Sequence, residues 1–361
     1  MKILVSAYTG LGNFILRTPM LHTLKRIVPN TTISLITGTS SLDNVSSAAK
    51  ELPWIHSTYS LSQTAPWKEK LRFFRKLKNE NYDVVFLPFD SMPRFLIVGS
   101  YLANIPLRVL HTSFTTRSYL SVCKRACKML VMPKTVHVPI LQGRHEIDLN
   151  YDLLEAYLNE PLEREYTTLF PFCRDESVIS RFGLERNRFF VLQMAARHGA
   201  PTPKVWDPKK FRVLIEQLYE KYPKLKLVTV GSKSDYEEGI KQMIAGLPYV
   251  VNTAGETSLN DLANLLTDCR IAIVHDSGTM HVANALDVPL IALYGPTDHT
   301  RTRPLGTNSH LIFSKNKYLA SMYNLRYSEE ELCALTKQYE CMDAINIDDV
   351  MNQVDVFDRS R

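Results

Sequence analysis

The run Val274-His275-Asp276-Ser277-Gly278-Thr279-Met280-His281-Val282-Ala283 places an acid, two hydroxyls, a glycine and two imidazoles between an apolar segment and a helical one. Backbone N–H groups at a helix start carry partial positive charge, and a glycine there lets an anion approach them. Asp276 and Ser277 are residue types that cap such a start, and His281, one turn in, is within reach of a bound phosphate. The same residues also fit a capped helix with a packed core histidine, and the run alone leaves both readings open. Lys204, in Lys204-Val205-Trp206 after a loop with Gly199, Pro201 and Pro203, is a point charge for a diphosphate or a solvated surface lysine. Tyr294-Gly295-Pro296-Thr297-Asp298 is a further short loop after an apolar segment.

Near the start, Gly10-Leu11-Gly12-Asn13 follows the apolar run Ile3-Leu4-Val5. A dinucleotide fingerprint would need glycine where Ile15 stands, so a nicotinamide cofactor has no support. No Asp-x-Asp, HExxH or GxxxxGK[ST] run occurs, so no metal site and no cofactor are expected. The six cysteines form no CxxC pair and read as buried reduced thiols, pointing to a cytoplasmic protein.

The elements that must position these residues alternate. Strands are predicted at Ile3–Val5, Ile33–Ile36, Val84–Leu87 and Leu107–Leu110, then at Phe189–Gln193, Lys226–Val230, Val250–Asn252, Ile271–Val274 and Leu290–Leu293. Helical patterns lie between them, among them Trp67–Lys78, Pro208–Lys221, Asp235–Ala245, Ser258–Leu266 and Thr279–Leu286. Such alternation predicts an α/β chain of two Rossmann-like domains with parallel sheets and a cleft between them. Ligands in such folds bind beyond the carboxyl ends of the strands, where the loops above fall. The expected domains are 1–170 and 171–345, followed by a helix in 346–361 running back toward the first domain.

Charge is divided unevenly. Residues 1–145 carry 19 Lys and Arg against 6 Asp and Glu, while the rest carry 24 against 31. The first half concentrates its charge in Trp67–Lys78 and in Arg117–Lys134, the latter without a single acid. An ordinary amphipathic helix packed on its sheet is one reading; attachment to an anionic membrane leaflet is the sharper one. No nucleic-acid motif is present, and nucleic acid is not expected as a partner. No stretch reaches the ~20 apolar residues of a membrane span.

Taken together, strand–Gly10-Leu11-Gly12-Asn13–helix with Thr18-Pro19, Lys204-x-Trp206, Gly255-Glu256-Thr257-Ser258-Leu259, Asp276 to His281, Tyr294 to Asp298 and Cys341-Met342 resemble glycosyltransferase family nine. These are the bacterial heptosyltransferases that build lipopolysaccharide core, with the two-domain GT-B fold. The resemblance implies an inverting, metal-independent transfer of a sugar from a nucleotide diphosphate, typically ADP-heptose, to an anionic glycan or lipid-linked acceptor. By position, Lys204 and the Ser277–Thr279 backbone (with Gly278 between) would hold the diphosphate beside His281. Asp276 would bind the sugar hydroxyls, and Asp235 would lie near the ribose. The acceptor would bind the first domain, around Gly10, Leu11, Gly12 and Asn13. Catalytic positions would be Asn13 and Lys204.

One position departs from the family, which usually has Asp where Asn13 stands. An amide can hydrogen-bond a hydroxyl but cannot take its proton near neutral pH. Another group, such as Asp43, Asp90 or His198, is then the base, or donor phosphate or solvent takes the proton. The remaining alternative is a catalytically impaired relative that binds a nucleotide sugar without transferring it.

Overall fold

Two doubly wound parallel sheets organise the chain, and the computed structural model describes residues 1–39, 44–112, 135–141, 143–195, 203–314 and 339–359. The chain divides into two compact units, Met1–Pro171 and Phe172–Arg361. In the first, strands β1 (Lys2–Ala7), β2 (Thr32–Thr37), β3 (Ile55–Ser60), β4 (Val84–Leu87), β5 (Leu107–Thr112) and β6 (Thr135–Pro139) pair in the order β3-β2-β1-β4-β5-β6. In the second, β7 (Phe189–Gln193), β8 (Lys226–Val230), β9 (Val250–Asn252), β10 (Ile271–His275), β11 (Leu290–Tyr294) and β12 (Ser309–Phe313) pair in the order β12-β11-β10-β7-β8-β9. Every pairing is parallel.

Both orders reverse direction between the first and fourth strands of the unit. The loops after β1 and β4, and after β7 and β10, therefore diverge and leave a crevice at the strand ends. The segments following these four strands carry Asn13, in the first turn of the helix after β1, Asp90, on the turn after β4, Lys204 and Asp276.

The central strands form because their side chains are apolar on both faces: β4, β7, β10 and β11 are buried throughout. The helix Leu11–Ile27 crosses back from β1 despite Pro19 in its middle. Proline cannot donate to the Ile15 carbonyl, and the Thr18 hydroxyl does so instead at 2.7 Å. Thr18-Pro19 thus keeps a helix intact that proline alone would kink. Between β8 and β9, the single helix expected over Asp235–Ala245 is instead Lys233–Asp235 and Lys241–Ile244 flanking a π-helical turn, Tyr236–Ile240.

The last helix, Ile347–Arg359, belongs to the second unit's own core. Val350 and Val354 pack among Phe211, Leu214, Leu293 and Met342, and Asp355 and Asp358 pair with Lys221 and Arg270. That role is one the sequence reading, which turns this helix back toward the first domain, does not assign. Among the described residues no helix is long and apolar enough to cross a membrane. Cys269 and Cys341 are buried, but Cys173 is exposed, contrary to the expectation for all six; Cys123, Cys127 and Cys333 lie outside the described residues.

Candidate functional site

The switch point of the second unit is built around one ion pair whose acid is buried. β7 and β10 pair only as far as Leu192 and Ile273, after which the strands separate. The Gln193 side chain fills the gap: its Oε1 accepts from the His275 backbone N–H at 3.1 Å and from the Ser277 hydroxyl at 3.2 Å. Gln193 thereby ties the end of β7 to the start of the helix Gly278–Ala285. Nothing in the sequence pattern marks it beyond its place at a strand terminus.

Ser277 is consequently not a helix cap. Its backbone is extended, its hydroxyl is engaged with Gln193, and no side chain caps the helix. Asp276 does not cap either, so the capping role expected of both residues is wrong. The uncapped start leaves Gly278 and Thr279 half-exposed at the end of the helix where N–H groups point outward, the arrangement that favours an anion.

Asp276 instead pairs with Lys204, Nζ to Oδ2 at 3.0 Å. Burial by itself would raise the Asp276 carboxyl, but the charges of Lys204 and His281 and the Thr297 hydroxyl together hold it below the ordinary carboxylate range. Asp276 is therefore an anion at neutral pH, with Lys204 partly exposed above it at 19%. His281 is buried and faces that carboxylate. The Tyr294–Asp298 loop contributes Thr297 to this group.

The Lys204-x-Trp206 spacing has a physical reason. Trp206 is fully buried, donates its Nε1–H to the Ile345 carbonyl at 3.2 Å and its backbone N–H to His275 Nε2 at 3.0 Å. Asp207 then caps the helix Pro208–Lys221. With Trp206 anchored, Lys204 two residues earlier is held at the crevice. His275 accepts at Nε2, and burial pushes its imidazole down to about 3 against the pull of Asp276, so it stays neutral.

Asp235, expected near a ribose, closes a capping box with Ser232: its Oδ2 accepts from the Ser232 N–H at 2.7 Å. It stands at the carboxyl end of β8, beside β7, with Oδ2 engaged in that helix start and Oδ1 buried without a hydrogen-bond partner. Gly255, at φ +79, packs against this turn; a Cβ there would lie 2.8 Å from Lys233 Cα. Gly295 and Met342 explain each other, since a Cβ on Gly295 would fall 2.3 Å from Met342 Sδ. The Cys341-Met342 and Tyr294-Gly295 motifs are one packing contact.

In the first unit, Gly10, Leu11, Gly12 and Asn13 lead from β1 into the helix, with Gly10 at its start and Gly12 buried. Asn13 Nδ2 lies 3.4 Å from Asp90 Oδ2, on the turn after β4. The other Asp90 oxygen pairs with Arg17 at 2.6 Å. Arg17 is fully buried and also donates to the Ser6 carbonyl at 2.8 Å and to Asn150 Oδ1 at 3.1 Å. His111 fixes the Asp90 turn: its Nδ1 accepts from the Phe89 N–H at 3.2 Å and its Nε2 bonds the Leu149 carbonyl at 3.0 Å. Burial pushes its imidazole down to about 4 against Asp90's charge, leaving it neutral. Arg17 and His111 escape sequence reasoning because neither sits in a recognisable pattern. Of the other residues considered as bases, Asp43 and His198 lie outside the described residues, as does all of Arg117–Lys134.

Comparison with known proteins gives the family and the fold. Residues 70–329 match the model of Glycosyltransferase family 9 (heptosyltransferase). The chain is 28% identical over 327 residues to lipopolysaccharide heptosyltransferase 2 of Salmonella typhimurium, covering 86% of this chain and 88% of that protein. Among solved structures, a glycosyl transferase family 9 protein from Veillonella parvula superposes with a TM-score of 0.76 at 18% identity, covering 100% of this chain and 97% of that one. The ADP-heptose lps heptosyltransferase II of E. coli gives 0.68 at 21% identity, covering 99% and 98%. The shared fold is the GT-B type. With the family model spanning most of its length and full-length relatives on either measure, the chain belongs to glycosyltransferase family 9, the heptosyltransferase family.

Proposed function

We propose that this glycosyltransferase is inverting and metal-independent, moving heptose or a related sugar from an ADP-sugar to lipopolysaccharide or another anionic cell-surface glycan. The observation that carries the reading is the Lys204–Asp276 pair at the uncapped start of the helix Gly278–Ala285. A leaving diphosphate needs positive charge where its negative charge develops, and preorganised donors supply it without reorganisation. Lys204 and the Ser277–Thr279 backbone do that here, and His281 lies beside the group. Asp276, held ionised in a buried position, sets where Lys204 points and leaves a carboxylate edge for sugar hydroxyls.

The donor thus binds the second unit and the acceptor the first, at Gly10–Asn13. The basic helix Trp67–Lys78 supports a cytoplasmic enzyme working at an anionic leaflet. Phe74 and Leu77 are buried in the core, while Trp67 is 48% exposed among exposed Lys68, Arg72, Arg75 and Lys76. The alternative, a relative that binds nucleotide sugar without transferring it, draws on Asn13 standing in place of a carboxylate.

A thermal-shift panel of ADP-, GDP-, UDP- and CDP-sugars tests the donor site, with Asp276→Ala as control. The ADP-sugar is expected to raise Tm most, and the control to lose much of that shift. No stabilisation by any of the four at millimolar concentration would overturn the donor assignment.

A further inference from the structure

Transfer to a hydroxyl requires that its proton leave as the new C–O bond forms, and Asn13 cannot accept it. The geometry points to Asp90 as the general base of the acceptor site, a reading that rests on the transferase function proposed above. Asp90 stands at the switch point of the first unit, on the turn after β4, one strand from the Gly10–Asn13 loop. Its two oxygens have different tasks. Oδ1 is fixed by the buried Arg17 guanidinium at 2.6 Å, which sets the plane of the carboxylate. Oδ2 is turned to Asn13, whose amide reaches it only at 3.4 Å.

A hydrogen bond of that length is weak, and an incoming hydroxyl at the usual O–H···O⁻ distance of about 2.6 Å replaces it at little cost. The Asn13 amide then steadies the same hydroxyl from the side. In the step itself, the acceptor O–H proton passes to Asp90 Oδ2 and the acceptor oxygen bonds the anomeric carbon. The bond from that carbon to the diphosphate oxygen breaks, and its electron pair leaves with the nucleoside diphosphate. The turn carrying Asp90 is held from behind by His111 through the Phe89 N–H, so the carboxylate is preorganised rather than loop-borne.

Asp90→Asn in the full chain tests this. Transfer rate is expected to fall about 10²–10⁴-fold. The thermal shift produced by the ADP-sugar should stay as in the parent, because the donor residues lie on the second unit. A folded Asp90→Asn chain with parental kcat overturns the assignment. Should that chain fail to fold because Arg17 loses its counter-ion, Asp90→Asn combined with Arg17→Met removes both charges of the pair together. A folded double variant that keeps the ADP-sugar thermal shift and loses transfer about 10²-fold or more supports the assignment, and one with parental kcat overturns it. A parent that binds nucleotide sugar but transfers nothing would instead remove the transferase reading itself.

Discussion

Replacing Lys204 by methionine isolates the ion pair on which the donor site depends. The side chain keeps its length, but Asp276, only 8% exposed, loses the ammonium 3.0 Å away. At that separation the attraction is on the order of 5 kcal/mol with an effective dielectric of about 20. His281 and the Thr297 hydroxyl remain beside the carboxylate and recover part of it. Breaking a buried pair from one side typically costs 3–5 kcal/mol, so about 2–4 kcal/mol is expected here. For a unit of this size that is a fall in Tm of roughly 5–15 °C.

The sign with pH follows from the same groups. In the parent, Asp276 is held below its ordinary value, so its contribution is present above the ordinary carboxylate range and lost as pH falls through the lowered one. Without Lys204, burial dominates and the carboxyl moves above that range. The deficit of Lys204→Met against parent should therefore shrink between pH 7.5 and pH 5. A double-mutant cycle with Asp276→Asn, read by urea melts of the second unit's transition, should give a coupling above about 1 kcal/mol. Additivity within about 0.5 kcal/mol, or a deficit that does not change with pH, would refute the reasoning.

Gln193→Leu leaves the His275 N–H and the Ser277 hydroxyl without their acceptor, and should cost about 1–3 kcal/mol in a melt while weakening the ADP-induced thermal shift. Gly295→Ala drives a methyl into Met342 and is expected to lose about 1–3 kcal/mol, with Met342→Ala added in the same chain recovering stability that neither change gives alone. His111 and His275 are buried neutral, at about 4 and about 3, whereas the unfolded imidazoles protonate near 6.5. Each therefore contributes stability that is whole above pH 6.5 and is lost as pH falls toward those values, on the order of 3 kcal/mol for His111 and more for His275. His111→Gln should flatten this acid limb in a pH series of melts.

The central sheet strands were legible because residues such as Ile271–Val274 and Leu290–Leu293 are apolar on both faces. β3, β6 and β12 were not: each is an edge strand, half-exposed, with Ser57, His137 or His310 breaking the apolar run. Local reading placed the loops at the carboxyl ends of the strands, and both sheets set their switch points there. It could not see partners distant in sequence. Asp276 has cap chemistry but is claimed by Lys204, 72 positions earlier, and Ser277 is claimed by Gln193. Arg17 lies on a helix face that polarity would assign to solvent, yet it is fully buried because Asp90, Asn150 and Ser6 satisfy it. Asp90 entered as one of three possible bases, and its position 3.4 Å from Asn13 is information that only the fold carries.

The most direct test is transfer itself. The protein is incubated with ADP-heptose, a heptose-accepting lipopolysaccharide core and excess EDTA, with ADP release and the anomeric configuration of the product followed by NMR. The account predicts acceptor-dependent ADP release and a glycoside of configuration opposite to the donor's. Donor binding without transfer, retention of configuration, or activity abolished by the chelator would contradict it.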